Sequence, residues 1–150
     1  MEFYMITTGQ PKSYNVKKKM MGAYINRLKT IAGQEIERLT QCTPDGVLFN
    51  GQMLYSNILY FHRVNNDIDA DNLSKPILDA LKNVVFRDDV QIIKRTAMKV
   101  NLNADFTLSN ENIPDHWYSQ LIEVINDDTV KHLLFIEVGT LDELKVAFGR

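Results

Sequence analysis

The chain has 150 residues, of which 45% are apolar and 24% are charged, a composition typical of a soluble globular protein that buries one core. No apolar run approaches the roughly 20 residues that a membrane-spanning helix needs, so the sequence excludes a membrane protein. Cys42 is the only cysteine, which excludes an internal disulfide, and the N-terminus lacks the basic and then apolar pattern of a secretory signal. We therefore expect one domain over residues 1–150 in a reducing, cytoplasmic setting.

The formal net charge of -2 hides an uneven distribution of charge along the chain. Residues 1–100 carry 14 lysines and arginines against ten acids, a balance of +4, whereas residues 101–150 carry three against nine, a balance of -6. Six of the ten N-terminal acids lie between residues 67 and 89. If several of these acids bind cations, the remaining surface is basic and suits a phosphate backbone, although a mixed, solvated surface gives similar counts.

The N-terminal part of the chain alternates between strand and helix signals. Residues 2–8, EFYMITT, read as a strand that ends in the turn-forming stretch GQPKSYN. Apolar residues at spacings near three and four from Val16 to Leu39 predict a long helix, which contains two glycines. In residues 47–64, the pair Asn50-Gly51 is the one that a type I′ turn prefers, so we predict a hairpin there.

Apolar residues recur at helical spacing across residues 71–84, so we predict a helix there that packs against the sheet. Pro76 lacks an N–H and restricts the residue before it. The helix should therefore begin only shortly before the proline, with Asn72 or Ser74 as its N-cap. Alternating apolar and polar residues over 90–102 then predict a strand with a basic face.

The remainder of the chain predicts three further elements after a polar, turn-rich stretch at 103–113. These are a short helix around residues 115–126, a buried strand at 132–138, and a last helix over residues 140–148 that opens with the spacing of a capping box. The order of the elements predicts an α+β fold, in which a mixed β-sheet is covered by helices.

Three aspartates at alternating positions precede a predicted helix and need an explanation. Asp67, Asp69 and Asp71 match the opening of an EF-hand calcium loop. That loop requires glycine at its sixth position and glutamate at its twelfth, and the chain has Asn72 and Leu78 there. Acids at a helix N-terminus are common because the macrodipole favours them, but three alternating acids exceed what capping needs.

The alternative is a site for a hard divalent cation. Two acids at i and i+2 on a curled segment, with one or two acids from elsewhere, form an oxygen-ligand site that suits Mg²⁺ or Mn²⁺ better than zinc. Asp88 and Asp89 offer the second contribution if the returning chain or a partner subunit brings one of them to the first pair. Lys75 is either a cation that balances charge in phosphoryl chemistry or a surface lysine in an i,i+4 ion pair.

The whole stretch DADNLSKPILDALKNVVFRDDVQI resembles the signature of the RusA family of Holliday junction resolvases. In that signature D-x-D-N-x-x-K starts a helix, D-A-L closes it, and a D-D-x-Q-[IV] segment follows. The matching positions are Asp69, Asp71, Asn72, Lys75, Asp79, Ala80, Leu81, Asp88, Asp89, Gln91 and Ile92. The resemblance is strongest over residues 65–95 and extends from residue 1 to about 102. The early QPKSYN also resembles a proline-serine-asparagine turn of the family, with Lys12 in place of one expected proline.

This resemblance implies a single RusA-like domain that acts as a Mg²⁺-dependent endodeoxyribonuclease, with Mn²⁺ as the alternative ion. Such an enzyme is a homodimer and resolves four-way DNA junctions by paired incisions. The resemblance makes Asp69, Asp71 and Asp89 the metal-binding catalytic acids and Lys75 the essential lysine. Supporting positions are Asp88, Asn72 and Asp67.

Basic residues elsewhere are candidate phosphate contacts, or else ordinary solvated charges. They are Lys17, Lys18, Lys19, Arg63, Arg87, Arg95 and Lys99. The chain departs from the family pattern at two places: it lacks an arginine-rich run before D-x-D, and residues 103–131 form an atypical acidic insertion. Two other functions stay open, a catalytically silent protein that binds branched DNA and a metal-dependent nuclease that cuts flaps or duplex DNA.

Overall fold

A computed structural model describes residues 2–41 and 46–149, so Cys42 lies outside the described residues. In chain order the elements are β1 (Glu2–Thr8), α1 (Lys18–Thr40), β2 (Leu54–His62), α2 (Ala70–Leu81), a 3₁₀ turn (Asp89–Gln91), β3 (Ile92–Asn101), α3 (Asp115–Ile125) and β4 (His132–Thr140). The strands form one mixed four-stranded sheet, and the predicted α+β class is confirmed. Within the described ranges, no helix combines the length and the apolar character needed to cross a membrane.

The sheet has the strand order β1-β4-β2-β3, so the last strand of the chain lies in its interior. β4 pairs antiparallel with both neighbours and places Ile136 opposite Met5 and Ile58. β2 and β3 run parallel, which requires a crossover, and α2 lies in that crossover. β3 is therefore an edge strand, and the 3₁₀ turn that contains Asp89 leads directly into it.

Helices cover both faces of the sheet. α1 and α2 pack over one face in a core that includes Leu28, Ile77 and Tyr60. α3 covers the opposite face in a second core that includes Phe61 and Trp117. Tyr60 and Phe61 enter different cores because successive side chains of a strand point to opposite faces.

Most predicted elements are confirmed, and α2 shows where the prediction of a boundary fails. Asp69, rather than Asn72 or Ser74, is its N-cap, so α2 contains Pro76 in its interior. An interior proline costs a helix about 3 kcal/mol. Burying a large aliphatic side chain stabilises by about 1.5–3 kcal/mol, and α2 buries several, of which Ile77 is one. Packing against the sheet therefore outweighs the cost of the proline.

The predicted hairpin at residues 47–64 is wrong. A type I′ turn needs positive φ at both central residues; Gly51 has a φ of 133°, but Asn50 is not among the described non-glycine residues with positive φ. Phe49 instead forms an isolated parallel bridge with Phe86, and its N–H donates to the carbonyl of Val85 at 2.9 Å. Burial of Phe49 in the first core thus takes the place of a strand pairing.

The predicted last helix over residues 140–148 is also wrong. β4 extends to Thr140, and residues 141–149 are not helical. Val146 and Phe148 are 84% and 97% exposed, so the apolar residues of this segment have no surface in the described chain to pack against. A single capping-box spacing does not stabilise a short helix, because most helical stability comes from burial of an apolar face.

Candidate active site

The D-x-D acids lie at the start of α2. The carbonyl of Asp69 accepts the first hydrogen bond of the helix, from the Leu73 N–H at 2.8 Å, while the Asp69 side chain makes no capping bond. Asp71 lies in the first turn. Both side chains are exposed. Because both side chains are exposed, a ligand can reach both carboxylates, and the helix macrodipole favours negative charge at this end.

Lys75 lies one turn further along α2 and contacts two acids. Its Nζ is 2.9 Å from Oδ1 of Asp79 and 3.9 Å from Oδ2 of Asp89. The ion pair predicted as the alternative role of Lys75 is therefore present, with Asp79 as the partner. The lysine side chain is 53% exposed, and such a pair contributes only about 0.3–0.5 kcal/mol to stability. The pair thus matters more for the placement of the ammonium group than for folding.

Tyr14 connects the N-terminal loop to the same acids. Its hydroxyl donates a hydrogen bond to Oδ2 of Asp79, the carboxylate that also holds Lys75. Partial burial and this bond to a carboxylate raise the pKa of Tyr14 to about 12, so the hydroxyl remains a donor at neutral pH. The loop at 10–16 is thereby tied to α2.

The segment after α2 presents Asp89 through a set of caps. Asp88 accepts a hydrogen bond from the Val90 N–H at 3.1 Å, and this bond is the largest cause that lowers the pKa of Asp88. Gln91 is buried; its Oε1 accepts from the N–H groups of Arg87 and Asp88, both at 3.0 Å, and its Nε2 donates to the carbonyl of Gln52 at 3.1 Å. Asp88 and Gln91 therefore hold the backbone of this segment in shape. Asp89 points its carboxylate towards the ammonium group of Lys75.

These groups surround a small cavity of about 100 Å³ between α2 and β3. Its lining includes Lys75, Asp79, Asp89 and Arg95, but neither Asp69 nor Asp71. Within residues 2–41 and 46–149, no three His, Cys, Asp or Glu side chains are grouped so that they could hold a metal ion. The oxygen chemistry of the three proposed ligands suits Mg²⁺, but one chain does not bring all three together.

The basic residues named from the sequence occupy different surroundings. Arg95 lines the small cavity. The guanidinium of Arg63 donates to the backbone carbonyls of Ile125 and Val130, so it joins β2 to the end of α3. Lys99 Nζ donates to the carbonyl of Asn66 at 2.8 Å.

The other basic residues lie at the edges of this region. Arg87 donates from Nε to Asn50 Oδ1 at 2.6 Å. Lys17, Lys18 and Lys19 lie exposed at the N-terminus of α1. A helix N-terminus disfavours positive charge, so these three lysines do not serve the stability of α1.

Two side chains that organise the site were not assigned a role from the sequence. Tyr14 gave no signal, because a loop tyrosine has no recognisable pattern. Gln91 belonged to the matched signature, and its position three residues after Asp88 is the spacing of a capping box, which is present. That spacing was the signal that would have identified Gln91 as the residue that shapes the loop.

Exposed carboxylates can hold a divalent cation that acts on a phosphate, and a neighbouring lysine and arginine can donate hydrogen bonds to phosphate oxygens. The family model described as Endodeoxyribonuclease RusA matches residues 6–105 of the chain. Because this match covers two-thirds of the 150 residues, the chain belongs to the RusA family of endodeoxyribonucleases, and the family implies resolution of Holliday junctions. No curated protein matches the chain.

Proposed function

We propose that this protein is a Mg²⁺-dependent endonuclease that resolves four-way DNA junctions by paired incisions. The family match supports the reaction class. The observation that carries the proposal for the site is the contact of Lys75 with Asp79 and Asp89 beside Arg95, directly after the exposed D-x-D acids. Residues 69–95 thus contain both carboxylates that can bind a metal ion and basic side chains that can bind a phosphate.

In the proposed site, the carboxylates of Asp69, Asp71 and Asp89 hold Mg²⁺, with Mn²⁺ as a substitute. The ion, when bound, supplies an activated water and neutralises charge on the scissile phosphate. Lys75 donates hydrogen bonds to the phosphate oxygens as negative charge develops on them. Asp79 and Tyr14 hold the Lys75 ammonium in place, and Asp67 lies on the chain just before the ligands as a further oxygen donor.

We also propose that a second copy of the chain completes the site. The three proposed ligands do not converge among the described residues of one chain, and Asp89 lies in the 3₁₀ turn that leads into the edge strand β3. An edge strand presents unpaired backbone groups to another chain. Val90, just before β3, is 72% exposed, and Ile93, within β3, is 49% exposed. A two-fold dimer would place two equivalent sites against two strands of a junction.

The proposed DNA path uses the basic residues that are not committed to the fold. Lys17, Lys18 and Lys19 lie where they do not favour their own helix, and Arg95 opens into the site cavity, so these four are the best phosphate contacts. Arg87 lies at the rim. Arg63 and Lys99 donate hydrogen bonds to the backbone carbonyls of Val130 and Asn66. They would therefore affect DNA binding only indirectly, by positioning those two backbone segments. We expect such an enzyme to work in the cytoplasm.

The test is a cleavage assay with three synthetic substrates: a mobile four-way junction, a flap and a linear duplex. Each is incubated with Mg²⁺, Mn²⁺ or EDTA. Paired symmetric nicks on the junction, absent in EDTA, are expected. Asp71→Asn should still bind the junction but cut it roughly a hundredfold more slowly or worse, because loss of a metal ligand removes several kcal/mol of stabilisation. Asp115→Asn changes an exposed acid that also lies in the first turn of its helix, α3, and should cut like wild type.

The outcomes separate the alternatives. Binding of the junction without nicks under any metal would identify a silent branched-DNA-binding protein. Equal cutting of flaps or duplexes would identify a nuclease of wider specificity.

The shared site has its own test. If Asp71 of one chain acts with Asp89 of the other, a mixture of Asp71→Asn and Asp89→Asn forms heterodimers with one intact site. Nicking of one strand should then return, whereas ligands from a single chain would leave every heterodimer inactive.

A further inference from the structure

A second cavity lies on the face of the sheet that α3 covers, opposite the proposed active site. Its volume is about 190 Å³, and its walls come from the sheet, α3 and the loop at 108–113. Among the described residues that line it, Glu137 is the only one that carries a charge. We therefore call it the Glu137 pocket.

Glu137 lies in the middle of a row of side chains that crosses three strands. In the register of the sheet, it stands opposite Tyr4 of β1 on one side and opposite Asn57 of β2 on the other. Residues directly opposite each other on neighbouring strands point to the same face, and all three line the pocket. Tyr4 is buried, whereas Glu137 and Asn57 are partly exposed, so a ligand can reach the carboxylate.

Tyr55 holds this carboxylate in one orientation. Its hydroxyl donates a hydrogen bond to Oε2 of Glu137 at 2.8 Å. Tyr55 stands opposite Gly139, where an added Cβ would lie 2.6 Å from the tyrosine ring, so the glycine makes room for the ring. Burial, followed by the bond to Glu137, raises the pKa of Tyr55, and the hydroxyl stays a donor at neutral pH. The carboxylate is thus oriented before any ligand binds, which lowers the entropic cost of binding.

The chemistry of the lining favours an ammonium group over other cations. A hard metal ion such as Ca²⁺ needs roughly six to eight oxygen ligands, which one carboxylate cannot supply. A guanidinium binds a carboxylate best through both oxygens, but Oε2 of Glu137 already accepts from Tyr55. An ammonium group has three N–H donors and acts as a compact point charge. Oε1 of Glu137 and the side-chain carbonyl of Asn57 are acceptors that suit it.

The rest of the pocket suits the alkyl chain of an amine. Tyr4, Tyr118 and Phe135 contribute rings, and the faces of aromatic rings attract cations. Leu108 and Leu121 contribute apolar surface. The volume is below the range of about 300–1,000 Å³ that is typical of pockets for drug-sized ligands. The pocket therefore suits a single long side chain or a short amine.

A larger cavity of about 320 Å³ adjoins the Glu137 pocket and gives room for the rest of a ligand. Asn57 and Glu137 line both cavities. Lys94 and Thr96 of the edge strand β3 line the larger one. The ammonium group of Lys94 repels a second cation there, so the site favours a ligand with one ammonium group over a polyamine.

We propose that the Glu137 pocket binds one primary alkylammonium group, either the side chain of a lysine on a partner protein or a short free amine. The bound ammonium group donates to Oε1 of Glu137, and the alkyl chain lies against Leu108 and Leu121. The pocket lies across the sheet from the cavity that Lys75 and Arg95 line. The inference therefore does not depend on the proposed nuclease function.

The test is a titration followed by ¹H–¹⁵N NMR at neutral pH, with n-butylammonium, N-acetyl-lysine methylamide, spermidine and n-butanol. The first two should shift the amide signals of Asn57 and Glu137 to saturation. n-Butanol has the same alkyl chain without the charge and should bind at least about tenfold more weakly, because it cannot form a charged hydrogen bond. Spermidine should bind no more tightly than n-butylammonium. Tighter binding of the lysine amide than of n-butylammonium identifies a partner's side chain as the source, and equal binding identifies a free amine.

Three variants assign the binding to the pocket. Glu137→Gln keeps an acceptor for Tyr55 but removes the charge, and Ser109→Trp places a large ring at an exposed position of the lining. Both should weaken binding of n-butylammonium by about tenfold or more. Glu123→Gln changes an exposed acid of α3 outside the lining and should bind like wild type. Urea unfolding checks that each variant is folded.

The wild-type protein alone can refute the proposal. Equal affinity for n-butanol and n-butylammonium, or shifts that do not saturate, would overturn the pocket. Full affinity in both Glu137→Gln and Ser109→Trp would overturn it as well. Spermidine that binds about tenfold more tightly than n-butylammonium would overturn the preference for a single charge.

Discussion

Replacing Gln91 by alanine should destabilise the protein by about 3 kcal/mol, because this side chain holds the loop that presents Asp89. Its Oε1 accepts two backbone N–H groups at 3.0 Å, and its Nε2 donates to the Gln52 carbonyl at 3.1 Å. The residue is only 9% exposed. Water therefore cannot readily take the place of the lost side chain.

The magnitude follows from these three bonds. Each hydrogen bond contributes about 0.5–1.5 kcal/mol net, and a buried group left without a partner costs about 1–3 kcal/mol. The two N–H groups that Gln91 satisfies are partly buried, so the total should lie at about 2–4 kcal/mol. In a protein of this size each kcal/mol lowers Tm by about 2–4 °C, and the expected fall is roughly 6–12 °C.

The assay is urea unfolding followed by circular dichroism, with the slope of the transition checked against wild type. Gln120→Ala is the matched control, because Gln120 is exposed on α3 and its loss should change the free energy of unfolding by no more than about 0.5 kcal/mol. A Gln91→Ala protein as stable as this control would refute the view that one buried carboxamide organises the loop.

Three further predictions concern single side chains. Tyr14→Phe removes the hydroxyl that donates to Asp79; it should lower kcat for junction cutting several-fold and leave KM nearly unchanged, with a stability loss of no more than about 1.5 kcal/mol in urea. Burial is the largest cause that lowers the pKa of His132 below 6.5, so the unfolded chain takes up a proton first. The free energy of unfolding should therefore decrease as the pH falls below about 6.5, and His132→Gln should flatten that decrease. Ile77→Ala, in the core under α2, should cost about 2–5 kcal/mol, whereas Val146→Ala, 84% exposed, should change stability by less than about 0.5 kcal/mol.

Much of the candidate site was visible in the sequence because its residues are close together along the chain. The spacing of Asp71 and Lys75 predicted that both lie at the start of one helix, and the structure places them there. The contact of Tyr14 with Asp79 joins residues 65 positions apart, and no local pattern encodes such a distance. The convergence of Asp89 with the D-x-D acids likewise depends on the path of the chain and, as we propose, on a second copy.

The errors in the fold arose where a local signal met a tertiary constraint. Asn50-Gly51 favours a tight turn, but burial of Phe49 against the segment at 85–86 fixes the backbone differently. The capping-box spacing at 140–143 favours a helix, but Thr140 is the last residue of β4 and pairs with Leu54 of β2. In both places, burial or strand pairing contributes more than a preference that is worth about 1 kcal/mol.

The acidic stretch after residue 102 has a place in the fold that its sequence did not reveal. α3, with Asp115 and Glu123, packs on the face of the sheet opposite α2, and β4 then enters the interior of the sheet. Arg95 and the small cavity lie on the α2 face, so the sheet separates the acids of α3 from the proposed site. Carboxylates that bind no cation repel a DNA backbone, and Asp115 and Glu123 lie across the sheet from the proposed path of that backbone. The segment after residue 102 therefore supplies the interior strand β4 and holds the two acids of α3 away from the proposed site.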